Sequence, residues 1–214
     1  TSPFAPHLNR VYSTPTGSPL PSISPDERAD SFTHALLEAF IAGLDDAGHS
    51  HTISDLYEKG FNPVMSLPEY QRESSCDATL PIPADVAAEQ AKLDAADVWA
   101  FVYPVWWTDC PAILKGWFDR VWTVGWAYHP QTLKRAKKAL VLCAAGHTAA
   151  HLRELGEYQA MKTVMLTDRI YDRAETKEFQ LFDGSAALPE DEWEQTRQHH
   201  LEHARRLGRE LGAE

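Results

Sequence analysis

The chain has 214 residues, a formal net charge of −11 and 43% apolar residues. That length fits one large domain able to bury a core, and the acidic balance argues against nucleic acid and anionic membrane surfaces, which select basic patches. No apolar run approaches the roughly 20 residues that span a bilayer. The N-terminal stretch has no charged-then-apolar signal pattern, and the 3 cysteines, Cys76, Cys110 and Cys143, lack CxxC spacing, as expected in a reducing cytosol.

Residues 1–30 carry prolines at positions 3, 6, 15, 19, 21 and 25 among many Ser and Thr, the composition of an irregular segment. From Ser31 the pattern turns helical. Phe32, Ala35, Leu36, Ala39, Phe40 and Leu44 fall on one face, Asp30 or Ser31 can cap the start, and Gly48 marks the stop. Thr52, Ile53, Leu56 and Tyr57 then suggest a short strand, 61–70 reads as loop, and 84–95 as a helix. The apolar run 98–103 reads as a strand buried on both faces. Behind it, Pro111 stands where a first helical turn begins, and Ile113, Leu114, Trp117, Phe118 and Val121 follow at helical spacing. A second buried strand is expected at 139–144, a third at 179–182, and a long amphipathic helix over 190–211. The alternation of helix and strand predicts an α/β fold, a parallel sheet with helices on both faces, with 31–214 as one domain after the irregular 1–30.

In such sheets ligands bind beyond the carboxyl ends of the strands. The first such end is Pro104, Val105, Trp106, Trp107 and Thr108, a loop whose flat, partly apolar surface suits a flat aromatic cofactor. The competing reading puts the tryptophans in the core or in a dimer seam. The second end is Ala144, Ala145, Gly146 and His147, where glycine lets backbone approach a ligand closely, unless this is an ordinary strand-to-helix turn. The pairs His147/His151 and His199/His203 are each four apart, but no third ligand is apparent, so they read as helix surface and no metal is expected.

The stretch YPVWWTDCPAILKGWFDRVWTVGWAY, 103–128, resembles the signature of the NAD(P)H:quinone oxidoreductase family, a branch of the flavodoxin-like flavoproteins. Weaker agreement runs from Ser31 to about Ser185. The resemblance implies a flavodoxin-like three-layer sandwich with strand order 2-1-3-4-5, a bound FMN or FAD, and NAD(P)H as cosubstrate. It also implies a quinone-like acceptor in ping-pong turnover and a homodimer, for which the tryptophan-rich 117–126 segment is the candidate seam. It places Pro104 to Thr108 and Ala144 to His147 along the flavin ring. Ser31, Phe32 and Thr33 match the opening of the family's first helix, where hydroxyls and helix amides hold the flavin phosphate, with Arg28 close by.

Four departures stand out. Thr108 replaces an aromatic residue of the family, and the loop at 145–148 keeps one glycine of two. The Tyr/His pair beside the family's flavin falls on Leu152 and Tyr158, leaving Tyr158 as the candidate hydrogen-bond donor to substrate. At the N-terminal side no run of Val, Ile and Leu supplies an interior first strand. Its candidates are 10–14 and 20–24, and Ser24-Pro25 stands where His-Pro is expected. Relatives attached to potassium-efflux systems imply an alternative, a regulatory partner of a transporter with little redox turnover.

Overall fold

The computed structural model describes residues 31–211, so the segment 1–30, with its candidate strands and Arg28, lies outside the described residues. Helix α1 (Phe32–Asp46) opens with Ser31, whose hydroxyl accepts the His34 amide at 3.2 Å, and buries Phe32, Leu36, Leu37, Phe40 and Leu44. Gly48 follows at φ 73, the left-handed stop expected from the sequence. Next come α2 (Leu67–Ser74), α3 (Ala84–Ala95), β1 (Val98–Pro104) and α4 (Ala112–Val121). They are followed by β2 (Ala136–Ala144), α5 (Ala149–Glu154), α6 (Glu157–Thr163), a π-helical turn at Val164–Arg169, β3 (Ala174–Phe182) and α7 (Glu190–Arg209).

The sheet is parallel throughout, in the order β1-β2-β3. β2 pairs on both edges, and its side chains alternate between two cores. Ala139, Val141 and Cys143 join Phe101, Tyr103, Trp117 and Phe118 under α4. Leu140, Leu142 and Ala144 join Val102, Phe182 and the apolar face of α1, with α7 beyond. The continuous apolar runs seen in sequence are therefore strands covered on both faces.

Among the described residues the sheet holds three strands, and the candidate first strand of the order 2-1-3-4-5 lies outside them. Other expectations need correction. Thr52 to Tyr57 is not a strand: Ser54, Asp55 and Leu56 are buried, but that backbone joins no ladder in the described residues. A groove of about 720 Å³ is lined by residues 49–53, by residues 98–102 of β1 and by Leu37, Phe40 and Leu44. The loop expected over 61–70 ends early, because Ser66 and Glu69 cap each other's backbone and start α2 at Leu67. β3 begins at Ala174, five residues before the expected start. Its outer residues Glu175, Thr176 and Lys177 are exposed and polar, as an edge strand's are.

Buried ion clusters tie the flanking helices together. The Arg120 guanidinium on α4 donates to Glu69 of α2 at 2.7 Å and to both carboxylate oxygens of Asp85 on α3 at 2.7 and 3.1 Å. Glu89 on α3 accepts from Ser54, Lys59, Lys92 and the Trp117 indole. On the opposite face α1 and α7 approach backbone to backbone at Gly43 and Gly208. A Cβ on Gly43 would lie 2.0 Å from the Arg205 carbonyl oxygen, and one on Gly208 2.2 Å from that of Phe40. Gly43→Ala must force these helices apart. It is expected to lower stability by about 1–3 kcal/mol, read as a lower urea midpoint with an unchanged m-value.

Candidate active site at the carboxyl ends of the sheet

All three strands finish at one level. Pro104 stands opposite Ala144, and Ala144 opposite Phe182. The ladder continues one residue further, with the Val105 amide donating to Ala144 at 2.7 Å and the Ala145 amide to Phe182 at 2.8 Å. The start of α1 reaches the same edge, since the rings of Phe32 and Phe182 both pack on His200, at 5.9 and 5.5 Å. The sequence-derived loops 104–108 and 144–147 and the Ser31–Thr33 turn thus gather along one side of the molecule.

Beyond Val105 the chain makes a tight reversal. Trp106 and Asp109 exchange two backbone hydrogen bonds, 2.9 and 3.0 Å, across Trp107 and Thr108. Both central residues are left-handed, φ 49 and 62, a geometry normally left to Gly and Asn that costs of order 1–3 kcal/mol per residue here. Trp107 is 96% exposed and Trp106 39%, so neither fills the core. The amides of Trp107 and Thr108 donate to no protein acceptor among the described residues.

The second loop offers the same kind of surface. The carbonyls of Ala145, Gly146 and His147 accept from the amides of Ser185, Ala186 and Gly184, and Asp183 accepts the Ala149 amide at 2.6 Å. This leaves the Gly146 and His147 amides without a protein acceptor among the described residues. Thr148 caps α5, its hydroxyl accepting the His151 amide.

Under the first loop lies an ion pair that sequence reasoning missed. Arg169, the last residue of the π-helical turn, grips Asp109 through Nη1 at 2.6 Å and Nη2 at 2.8 Å. Burial alone would raise the Asp109 carboxyl, but the Arg169 hydrogen bonds outweigh it and hold the group below its ordinary value. Sixty positions separate the partners, and although Asp109 lies within the 103–128 stretch, no local signal ties it to Arg169.

Other candidates fall elsewhere. Trp117 and Trp122 of the proposed dimer seam are core residues: the indole of one donates to Glu89 and that of the other to the Arg169 carbonyl. Their helical spacing marked an apolar face, and that face turns inward on Phe101 and Phe118. Tyr158 on α6 lies half-buried, edge-on to Phe179 at 5.8 Å and beneath the Arg153 guanidinium at 4.6 Å. The His147 and His151 rings stand 5.0 Å apart, and His203 packs on Phe182. Among the described residues no group of three or more His, Cys, Asp or Glu is placed to hold a metal ion. No described helix is long and apolar enough to cross a membrane.

A parallel sheet covered on both faces, with its ligand-accessible loops at the strand carboxyl ends, defines a flavodoxin-like α/β protein. The family profile described as flavodoxin-like fold matches residues 22–206, and the chain belongs to that family, in its NAD(P)H:quinone oxidoreductase branch. The chain is similar to the NAD(P)H:quinone oxidoreductase of Methanothermobacter marburgensis, with a TM-score of 0.80 and 42% identity over 90% of this chain and 92% of that one. It is 32% identical to rat NAD(P)H dehydrogenase [quinone] 1 over 153 residues, 63% of this chain and 56% of the rat protein. An uncharacterized NAD(P)H oxidoreductase of Haemophilus influenzae is 33% identical over 134 residues, 60% of this chain and 64% of that protein. The chain thus spans a little over half the length of the curated relatives it matches.

The cysteines near the sheet, Cys110 and Cys143, are buried. Burial, opposed only in part by the Arg169 charge, pushes the Cys110 thiol up to about 12, and burial likewise raises that of Cys143. A thiol-alkylating reagent at pH 8 should therefore label exposed Cys76 in the native protein, and Cys110 and Cys143 only after unfolding. Mass spectrometry of the labelled peptides reads the outcome.

Proposed function

We propose that the chain is a flavin-dependent NAD(P)H oxidoreductase acting on a quinone or a similar flat electrophile. Residues 31–214 form the flavin-binding unit in this reading. One observation carries it: two adjacent strand ends present the amides of Trp107, Thr108, Gly146 and His147, unengaged among the described residues, beside two exposed tryptophans. The donor set fits a flavin, whose ring is flat and apolar across its faces and accepts hydrogen bonds along its rim. Pro104 to Thr108 bind the ring on one side and Ala144 to His147 on the other. The amides of Phe32 and Thr33, which open α1 and donate to nothing among the described residues, suit the phosphate.

A bound flavin would supply the redox chemistry, taking hydride from NAD(P)H at N5 and passing it to the acceptor in ping-pong order. The protein's own task is to orient the ring, to place N–H donors where negative charge gathers on its rim, and to shield that face from water. Tyr158 is the candidate donor to substrate. A homodimer is part of the proposal, but its seam must lie outside the buried faces of Trp117 and Trp122.

The test is a visible spectrum of the purified protein, taken before and after adding FMN or FAD with NAD(P)H under anaerobic conditions. A flavin spectrum that bleaches with the nicotinamide and recovers with a quinone is expected. A folded protein that neither carries nor takes up either flavin would overturn the enzymatic reading and favour the regulatory one.

A further inference from the structure

We propose that Asp109 and Arg169 are positioning residues for the loop at the end of β1: their ion pair holds the Trp106–Asp109 turn in its strained left-handed form. The inference rests on the flavin reading for what the turn presents, and on geometry alone for how it is held.

Two consecutive residues with side chains, Trp107 at φ 49 and Thr108 at φ 62, would relax toward ordinary backbone unless something fixed both ends of the turn. One end is the continuation of β1 through Val105. The other is Asp109, whose carboxylate accepts from both Arg169 guanidinium nitrogens and from the following Cys110 amide at 2.6 Å.

The guanidinium cannot follow a moving turn. Its side chain is 5% exposed and lies 5.5 Å from the Phe118 ring centre, with Nη1 3.0 Å from the Cys110 sulfur and 3.4 Å from that of Met165. The Arg169 carbonyl is also fixed, accepting the Trp122 indole at 2.7 Å. The Asp109 side chain, by contrast, is 43% exposed. The pair thus runs from the core to the rim and ends at the turn that carries Trp107, itself 96% exposed. Lysine cannot replace arginine here, because the fork of two parallel N–H donors sets the carboxylate's orientation as well as its distance.

The experiment compares wild type with Asp109→Asn, Thr108→Gly and the double variant. It reads amide hydrogen exchange in the flavin-free protein and the FMN dissociation constant by titration. Asp109→Asn is expected to speed exchange of the Trp106 and Asp109 amides at least tenfold while β2 stays protected, and to weaken FMN binding at least tenfold. Glycine takes positive φ without strain, so the loss caused by Asp109→Asn should shrink several-fold in the Thr108→Gly background.

Unchanged exchange in the turn, or effects of the two substitutions that simply add, would overturn the proposal. Faster exchange throughout β2 would mark global loosening, and Arg169→Lys, read in the same two ways, then decides. A wild-type protein that takes up no FMN contradicts the flavin reading, and the exchange data then judge the clamp alone.

Discussion

Pairing of β2 on both edges is the constraint on which the rest depends. Its residues Ala139 to Cys143 are fully buried, and they alternate between a core under α4 and a core under α1 and α7. A slip of one residue in either ladder would turn Leu140 and Leu142 into the α4 core and Val141 and Cys143 out of it. The register therefore locks, and with it the height at which β1, β2 and β3 end. The loops at 104–109 and 145–148 inherit their relative position from that register rather than from contacts of their own.

Against this rigid background the first loop is unusual in storing strain. Trp107 and Thr108 adopt a conformation that neither side chain favours, at a place where glycine would have sufficed. Strain of this kind persists only where surrounding structure over-determines it. Here the over-determination comes from a strand on one side and a buried arginine on the other. The result is a large aromatic ring and two neighbouring sets of N–H groups that have no acceptor among the described residues. That is the kind of preorganised polar surface that a flat, rim-accepting cofactor needs.

Much of this was legible in the sequence. The limits of α3 and the existence of all three strands followed from apolar periodicity and runs, and the 103–128 signature pointed to the strand ends. The errors have physical causes. Helical spacing of Trp117, Phe118 and Val121 identifies an apolar face but not what covers it, so a core face was read as a dimer seam. Thr52 to Tyr57 carries strand-like residues, yet a strand exists only where a ladder partner stands, and none does among the described residues. The start of α2 was missed although Ser66 and Glu69 hold the spacing of a capping box, with Pro68 in the first turn. The Asp109–Arg169 pair could not have been found, because only the folded chain brings a loop residue onto a π-helical turn sixty positions away.

The most direct test of the account is a crystal structure of the protein grown with FMN. The account predicts the isoalloxazine ring between the 104–108 and 144–147 loops, with the amides of Trp107, Thr108, Gly146 and His147 supplying hydrogen bonds to its rim. A flavin seated elsewhere, for example in the groove beside β1, or bound with that rim turned away from both loops, would contradict it.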